Sequence, residues 1–94
     1  MIKKETIDQT KYLKEKLQNE KVIIGKERVL KALNGKSLER VFLAVNCPDK
    51  IKLDIQKYAE IVSIPVVILG QSNEEFGVFC KKNFFVSVLG TLKD

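Results

Sequence analysis

The sequence predicts a three-layer α/β/α sandwich, and two patterns carry that reading. Helix-like and strand-like segments alternate strictly along the 94 residues, in the order α-β-α-β-α-β-α-β. Such alternation builds a mostly parallel sheet with helices on both faces. The strand-like segments are continuous apolar runs, as strands covered on both faces require. A hydrophobic share of 45 % is enough for one core and argues against disorder. The length sets the expectation of one domain, residues 1–94.

The first helix spans Thr6 to Gln18, with Thr6, Thr10, Leu13 and Leu17 inward, Ile7 close by and charged residues on the remaining surface. Val22-Ile23-Ile24 is the first strand. It breaks at Gly25, and a helix carrying Val29, Leu30 and Leu33 on its apolar stripe follows to about Leu33. Asn34-Gly35 ends it, with glycine expected in the left-handed conformation that closes helices. Glu39 to Val45 is the second strand, and Asn46-Cys47-Pro48-Asp49 a turn, since proline restricts the residue before it.

Ile51, Ile55, Tyr58, Ala59 and Val62 recur at helical spacing and define a helix from Asp49 to about Ser63. After Ile64-Pro65, Val66 to Leu69 is the third strand. Ser72 with Glu75 three residues on fits a capping box at the start of a short helix with Phe76 and Phe79 inward. Phe84 to Leu92 is the last strand, centred on Val86 to Leu89.

The charge is +5 and unevenly placed. Residues 1–36 hold ten Lys or Arg against five Asp or Glu, whereas residues 37–94 hold seven of each. The excess therefore lies in the part that contains Gly25 and its helix, a footprint for a polyanion. No apolar run approaches the ~20 residues of a membrane helix. The first residues carry acids and lack the apolar region of a signal peptide, which makes the cytoplasm the expected address.

Catalysis is not expected. There is no histidine to act as a base near neutral pH. The two cysteines, Cys47 and Cys80, stand in apolar surroundings as packed thiols and cannot complete a four-ligand zinc site, so no metal is expected. Gly25-Lys26 lacks the upstream glycine of a phosphate-binding P-loop and has Glu27 where Ser or Thr belongs. Gly70 and Gly77 are too sparse for a dinucleotide fingerprint.

Binding is better supported. A helix that starts directly after Gly25 leaves its first N–H groups unpaired. Those donors, the positive helix end and the cations Lys26, Arg28 and Lys31 form a seat for phosphate. The Asn46 amide can donate to and accept from a base edge. Phe84-Phe85 can present an apolar face to unstacked bases, with one of the two turned inward because neighbouring strand residues face opposite ways. The three strand-to-helix loops share one end of a mainly parallel sheet, where such folds bind ligands. The turn before the last strand joins them only if that strand runs antiparallel.

Taken together, Ile-Ile-Gly-Lys-Glu-Arg-Val-Leu-Lys-Ala-Leu, Leu-Ala-Val-Asn-Cys-Pro, Asp-Ile-Gln-Lys-Tyr-Ala and Ser-Asn-Glu-Glu-Phe-Gly-Val-Phe-Cys-Lys-Lys, in this order and spacing, are a specific set. The chain resembles the kink-turn RNA-binding ribosomal protein family over residues 5 to 92, most of all its L-thirty-e branch. The resemblance implies a four-stranded mixed sheet and no catalysis or cofactor. It also implies binding to a sharply bent internal RNA loop with tandem sheared G·A pairs, within the large ribosomal subunit. Ribosomal RNA and neighbouring ribosomal proteins are then the expected partners; a membrane or a small-molecule substrate is not. A kink-turn subunit of another ribonucleoprotein and a protein–protein adaptor of the same fold are the alternatives.

Carried over by position, the RNA-binding residues are Gly25, Lys26, Glu27, Arg28 and Lys31. The turn residues Asn46, Cys47 and Pro48 follow, with Lys50 and Lys52 near, and then Phe84, Phe85 and Val86. Three positions depart from the pattern. Glu27 stands where a basic residue is common, Lys81 where a loop glycine is, and Phe85 where an arginine often follows the loop aromatic. Glu27 repels phosphate, so Lys26, Arg28 and the backbone N–H groups are expected toward phosphates and Glu27 toward a base edge.

Overall fold

The computed structural model describes residues 6–35 and 37–93, with side chains from residue 11 onward. Four helices, α1 (Thr6–Gln18), α2 (Lys26–Asn34), α3 (Asp49–Ile61) and α4 (Asn73–Phe79), alternate with strands β1 (Val22–Ile24), β2 (Leu38–Leu43), β3 (Val66–Ile68) and β4 (Val88–Leu92). The strands form one sheet in the order β1-β4-β2-β3. The period-2 alternation of strand side chains sorts the core into two halves. Val41, Leu43 and Val88 pack with Val29 and Leu33 of α2 and with Ile55 and Ala59 of α3. Phe42 and Leu89 point the other way, onto Leu13 of α1, Phe76 of α4 and Cys80 just past the end of α4. The three layers are therefore α2 and α3, the sheet, and α1 and α4.

The sheet is mixed. Only β2 and β3 pair in parallel, with Phe42 opposite Val67. β4 runs antiparallel to both neighbours, setting Ile24 opposite Leu89 and Leu43 opposite Val88. Alternation alone had pointed to a mostly parallel sheet. The reversal rests on a contact between two separate segments: the Val86 N–H donates to the Asn73 carbonyl at 3.0 Å. Asn73 opens α4, so the chain departs into α4 and returns at the same end of the sheet. Phe84 to Ser87 form this return rather than strand, which begins only at Val88.

The start of α4 follows the capping rules, and the end of α2 departs from them. In α4 the Ser72 Oγ accepts from the Glu75 N–H at 3.2 Å, and the Glu75 carboxylate accepts from the Ser72 N–H at 2.9 Å. Gly35 is right-handed, at φ −81° and ψ −4°, not left-handed as expected. The turn there is closed by the Ser37 N–H donating to the Ala32 carbonyl at 3.3 Å. The left-handed closing residues are instead Glu20, Ser63 and Lys81, with φ of 57°, 60° and 60°. Behind each, the next N–H reaches five residues back (Lys21 to Lys16, Ile64 to Ala59, Lys82 to Gly77), which is the Schellman pattern.

Two further expectations change. Tyr58 is 44 % exposed, so the inward stripe of α3 is carried by Ile55 and Ala59 with Ile51 and Val62 beside them. On α1, Leu13 and Leu17 face the core as expected, while Thr6, Ile7 and Thr10 have side chains outside the described residues. Lys16, one of the charged positions read as surface, is only 6 % exposed. Its Nζ donates to the Leu92 carbonyl at 2.6 Å and lies 3.4 Å from the Glu39 carboxylate. Tyr12 donates to the same carboxylate, shares a 2.9 Å hydrogen bond with Thr91, and stacks under the Arg40 guanidinium, 4.1 Å from the ring centre. This polar cluster fastens α1 to β2 and β4.

Candidate nucleic-acid interface

Gly25 joins β1 to α2 at φ 112° and ψ 144°, a conformation L-residues rarely adopt. Its N–H donates to the Val88 carbonyl and its carbonyl accepts from the Val29 N–H, both at 3.0 Å. The junction is thereby fixed to β4 on one side and to the first helical turn on the other. A methyl group added at Gly25 would meet nothing within 4 Å, so open space faces the helix start. Among the described residues no side chain caps α2. The N–H groups of Lys26, Glu27 and Arg28 have no acceptor within the helix and carry the positive end of its dipole.

Lys26 is not a free cation. Its Nζ lies 3.2 Å from the Asp54 carboxylate of α3. The pair is partly exposed, and solvent-accessible pairs contribute only about 0–1 kcal/mol, so a phosphate can displace the carboxylate. Arg28, Glu27 and Lys31 are exposed. Among the described residues neither Glu27 nor Lys31 has an ion pair, so the i,i+4 pairing that their spacing permits is not formed.

At the β2–α3 turn, Asn46 is committed within the protein. Its Oδ1 accepts from the Asn73 N–H at 2.7 Å and its Nδ2 donates to the Asn73 Oδ1 at 3.1 Å. Of its amide valences, one N–H and the second lone pair of the oxygen remain for a base edge. The main work of Asn46 is therefore to latch the turn to the start of α4. Cys47 is 5 % exposed and packs with Val29 and Ile55, and burial raises its thiol pKa. Its side chain belongs to the core, and it spaces the exposed Asn46 and Pro48. Lys50 is exposed, and Lys52 sits 4.0 Å from Asp49. Cys80 is likewise buried, its thiol pushed up to about 11 by desolvation. Both thiols are free, and the described residues contain no group of three or more potential metal ligands.

The return segment completes the arrangement. Phe84 and Phe85 are both exposed, at 53 % and 65 %, and Val86 is buried. The expectation that one phenylalanine turns inward fails because the alternation rule applies to strand and these residues lie outside it. What fixes them is Gly77 of α4, a residue that sequence reasoning missed. A Cβ there would stand 2.3 Å from the Phe84 carbonyl oxygen. The loop rests directly on the α4 backbone, and only glycine allows it. The signal in the sequence was a glycine inside a helix, where it costs stability unless something packs against it.

Because β4 is antiparallel, this segment meets the Gly25 junction. A groove of about 1060 Å³ runs between them at the end of the sheet, lined by Gly25, Lys26 and Arg28 on one side and Phe84, Phe85 and Val86 on the other. The remaining candidates, Glu27, Lys31, Asn46, Cys47, Pro48 and Lys50, lie outside its lining. Asn46 reaches the groove indirectly, through Asn73 and its hydrogen bond to Val86. Lys14 of α1 with Lys81 and Lys82 of the return also line it. Helical periodicity and charge did not single these three out as site residues. The groove thus offers unpaired N–H donors, five cations against the one acid Glu20, and exposed aromatic rings. That combination suits a flexible polyanion with flat apolar groups.

Comparison with known proteins gives the family of the chain. The model of the ribosomal protein L7Ae/L30e/S12e/Gadd45 family matches residues 8–94. The large ribosomal subunit protein eL30 of Methanosphaera stadtmanae is 36 % identical over 69 residues, 73 % of this chain and 70 % of that protein. The eL30 of Methanocaldococcus jannaschii is 31 % identical over 94 residues, 100 % of this chain and 86 % of that protein. Among solved structures, the Giardia lamblia 15.5kD RNA binding protein superposes with a TM-score of 0.83 at 21 % identity, covering 100 % of this chain and 79 % of that one. With a family model over nearly all of its length and relatives above 30 % identity, the chain belongs to the L7Ae/L30e/S12e/Gadd45 family of ribosomal proteins.

Proposed function

We propose that this protein is a structural RNA-binding component of the large ribosomal subunit that holds a kink-turn or a similarly bent internal loop of ribosomal RNA. The observation that carries the reading is the meeting of the Gly25 helix start with the Phe84-Phe85 loop in one basic groove, in a chain whose eL30 relatives are large-subunit proteins. The protein works on the ribosome in the cytoplasm, with rRNA and neighbouring ribosomal proteins as partners, and is not an enzyme.

The division of labour follows from the geometry. Backbone N–H groups at the start of α2, with Lys26 and Arg28, hold phosphates. The exposed rings of Phe84 and Phe85 give a stacking surface that a duplex cannot use, because its bases are already stacked. Glu27, exposed and without an ion pair among the described residues, accepts from a base amino group rather than meeting phosphate. Asn46 keeps the turn and the α4 start in register and adds one remaining donor. A bent loop, which exposes unstacked bases beside closely spaced phosphates, satisfies all of these groups at once.

Substitution tests the assignment. Phe84→Ala is expected to weaken binding to a kink-turn RNA by about 1–3 kcal/mol, the worth of one base–aromatic stack, and Lys26→Ala to lower the salt dependence by about one phosphate contact. Unchanged binding in both variants would place the site elsewhere.

A further inference from the structure

Building on the RNA-binding reading, we propose that Lys14 of α1 and Lys81 form a second phosphate-binding line in the groove, so that the bound RNA is held by both helical layers of the sandwich. The contacts assigned above use the α2 start and the aromatic loop. Yet α1 also lines the groove, through Lys14, Leu17 and Gln18. α1 belongs to the opposite layer from α2, packing Leu13 with Phe76 of α4. The groove therefore crosses the end of the sheet from one layer to the other.

The cations of α1 have different fates. Lys16 is buried and bound to Glu39 and Leu92. Lys14 is exposed, sits two residues away on the groove side, and among the described residues has no hydrogen bond or ion pair. Lys81 is likewise unpaired and lines the same groove. Its backbone is held at φ 60° by the Schellman bonds Lys81 to Val78 at 2.9 Å and Lys82 to Gly77 at 2.9 Å. The position is one that glycine fills more readily, yet here it carries a charge aimed from a fixed backbone. Of the five groove cations, only Lys26 has an acidic partner among the described residues. Unpaired cations along a groove next to exposed rings are the chemistry that tracks a phosphate backbone past its unstacked bases.

Lys14→Ala and Lys81→Gly are measured against wild type for binding to a kink-turn RNA and to a straight duplex, across a salt series. Lys11→Ala, an exposed lysine of α1 outside the groove lining, is the control. Each groove variant is expected to flatten the slope of log K against log salt by about 0.9, or roughly eightfold between 1 M and 0.1 M salt. The preference for bent over straight RNA is expected to persist. Lys81→Gly separates binding from folding, because glycine suits the left-handed backbone and the variant is at least as stable as wild type. Groove variants that behave like Lys11→Ala overturn the second line and leave the kink-turn reading intact. A wild type that binds bent and straight RNA equally overturns the kink-turn reading, and a wild type without RNA affinity overturns both.

Discussion

Gly77→Ala is the substitution whose outcome the structure specifies most closely. The added Cβ would stand 2.3 Å from the Phe84 carbonyl oxygen, where contacts below 3.0 Å are not tolerated. Both partners are backbone, so no side chain can rotate away, and the return loop must move by at least about 0.7 Å, the difference of those two distances. Overpacking of this kind costs about 1–3 kcal/mol. The Val86 to Asn73 hydrogen bond, 3.0 Å long in the native loop, adds about 1 kcal/mol if it breaks. Against these, alanine is favoured over glycine in a helix by about 1 kcal/mol. The net is a loss of about 2 kcal/mol, which for a chain of this size lowers the melting temperature by roughly 10 °C.

The displaced loop carries Phe84 and Phe85, so RNA affinity falls as well, by about fivefold if half of one base stack, about 1 kcal/mol, is lost. Thermal unfolding and RNA titration below the melting transition measure the two effects separately. Gly70→Ala is the matched control, because a Cβ there meets nothing within 4 Å. If Gly77→Ala matched wild type in both stability and affinity, the idea that Gly77 seats the aromatic loop would be refuted.

Three further outcomes follow from the same structure. Lys81→Gly is expected to raise stability by about 1 kcal/mol in urea titration, because a left-handed lysine pays a steric cost that glycine does not. Asn46→Ala removes two hydrogen bonds to Asn73 and is expected to destabilise by about 1–2 kcal/mol, with amide exchange at Asn73 accelerating most. The Tyr12–Glu39 contact makes stability depend on pH at both extremes. The hydrogen bond from Tyr12 holds the Glu39 carboxyl below its usual range, so that contribution is lost as pH falls below about 4.5. Burial and the same carboxylate raise the Tyr12 phenol, so its contribution is full below pH 10.0 and is lost as pH rises past it. Tyr12→Phe should flatten both limbs of the stability–pH curve, and a curve unchanged by that variant would contradict the assignment.

Much of this fold is legible in the sequence, for identifiable reasons. Unbroken runs such as Val41-Phe42-Leu43 and the i, i+4 spacing of Ile51, Ile55 and Ala59 report burial on two faces or on one, and burial is what periodicity encodes. Gly25 and the Ser72–Glu75 box are short-range devices, visible within a few residues. The direction of β4 is not local. It depends on a hydrogen bond between Val86 and Asn73 and on a backbone contact between Gly77 and Phe84, pairings that no window along the chain displays. The same blindness put Phe84 to Ser87 in a strand, turned one phenylalanine inward and left Tyr58 in the core.

The site divides along the same line. The phosphate-binding half at Gly25, Lys26 and Arg28 is written in consecutive residues. The commitment of Asn46 to Asn73 and of Lys26 to Asp54 emerges only when distant segments meet. Lys14 and Lys81 were not assigned to the site, because charged residues on a helix or after one are read as solvated, and only the groove separates them from Lys11.

Recognition of bent RNA over straight RNA is decided by one titration series. Affinity for a kink-turn RNA is compared with affinity for a duplex of equal length and charge, from low to high salt. Both affinities are expected to fall steeply with salt, because phosphate contacts release counterions. The kink-turn is expected to keep an advantage of at least about tenfold, or about 1.4 kcal/mol, that persists at high salt, where stacking on Phe84 and Phe85 outlasts the phosphate contacts. Equal affinity for the two RNAs at every salt concentration would contradict the account.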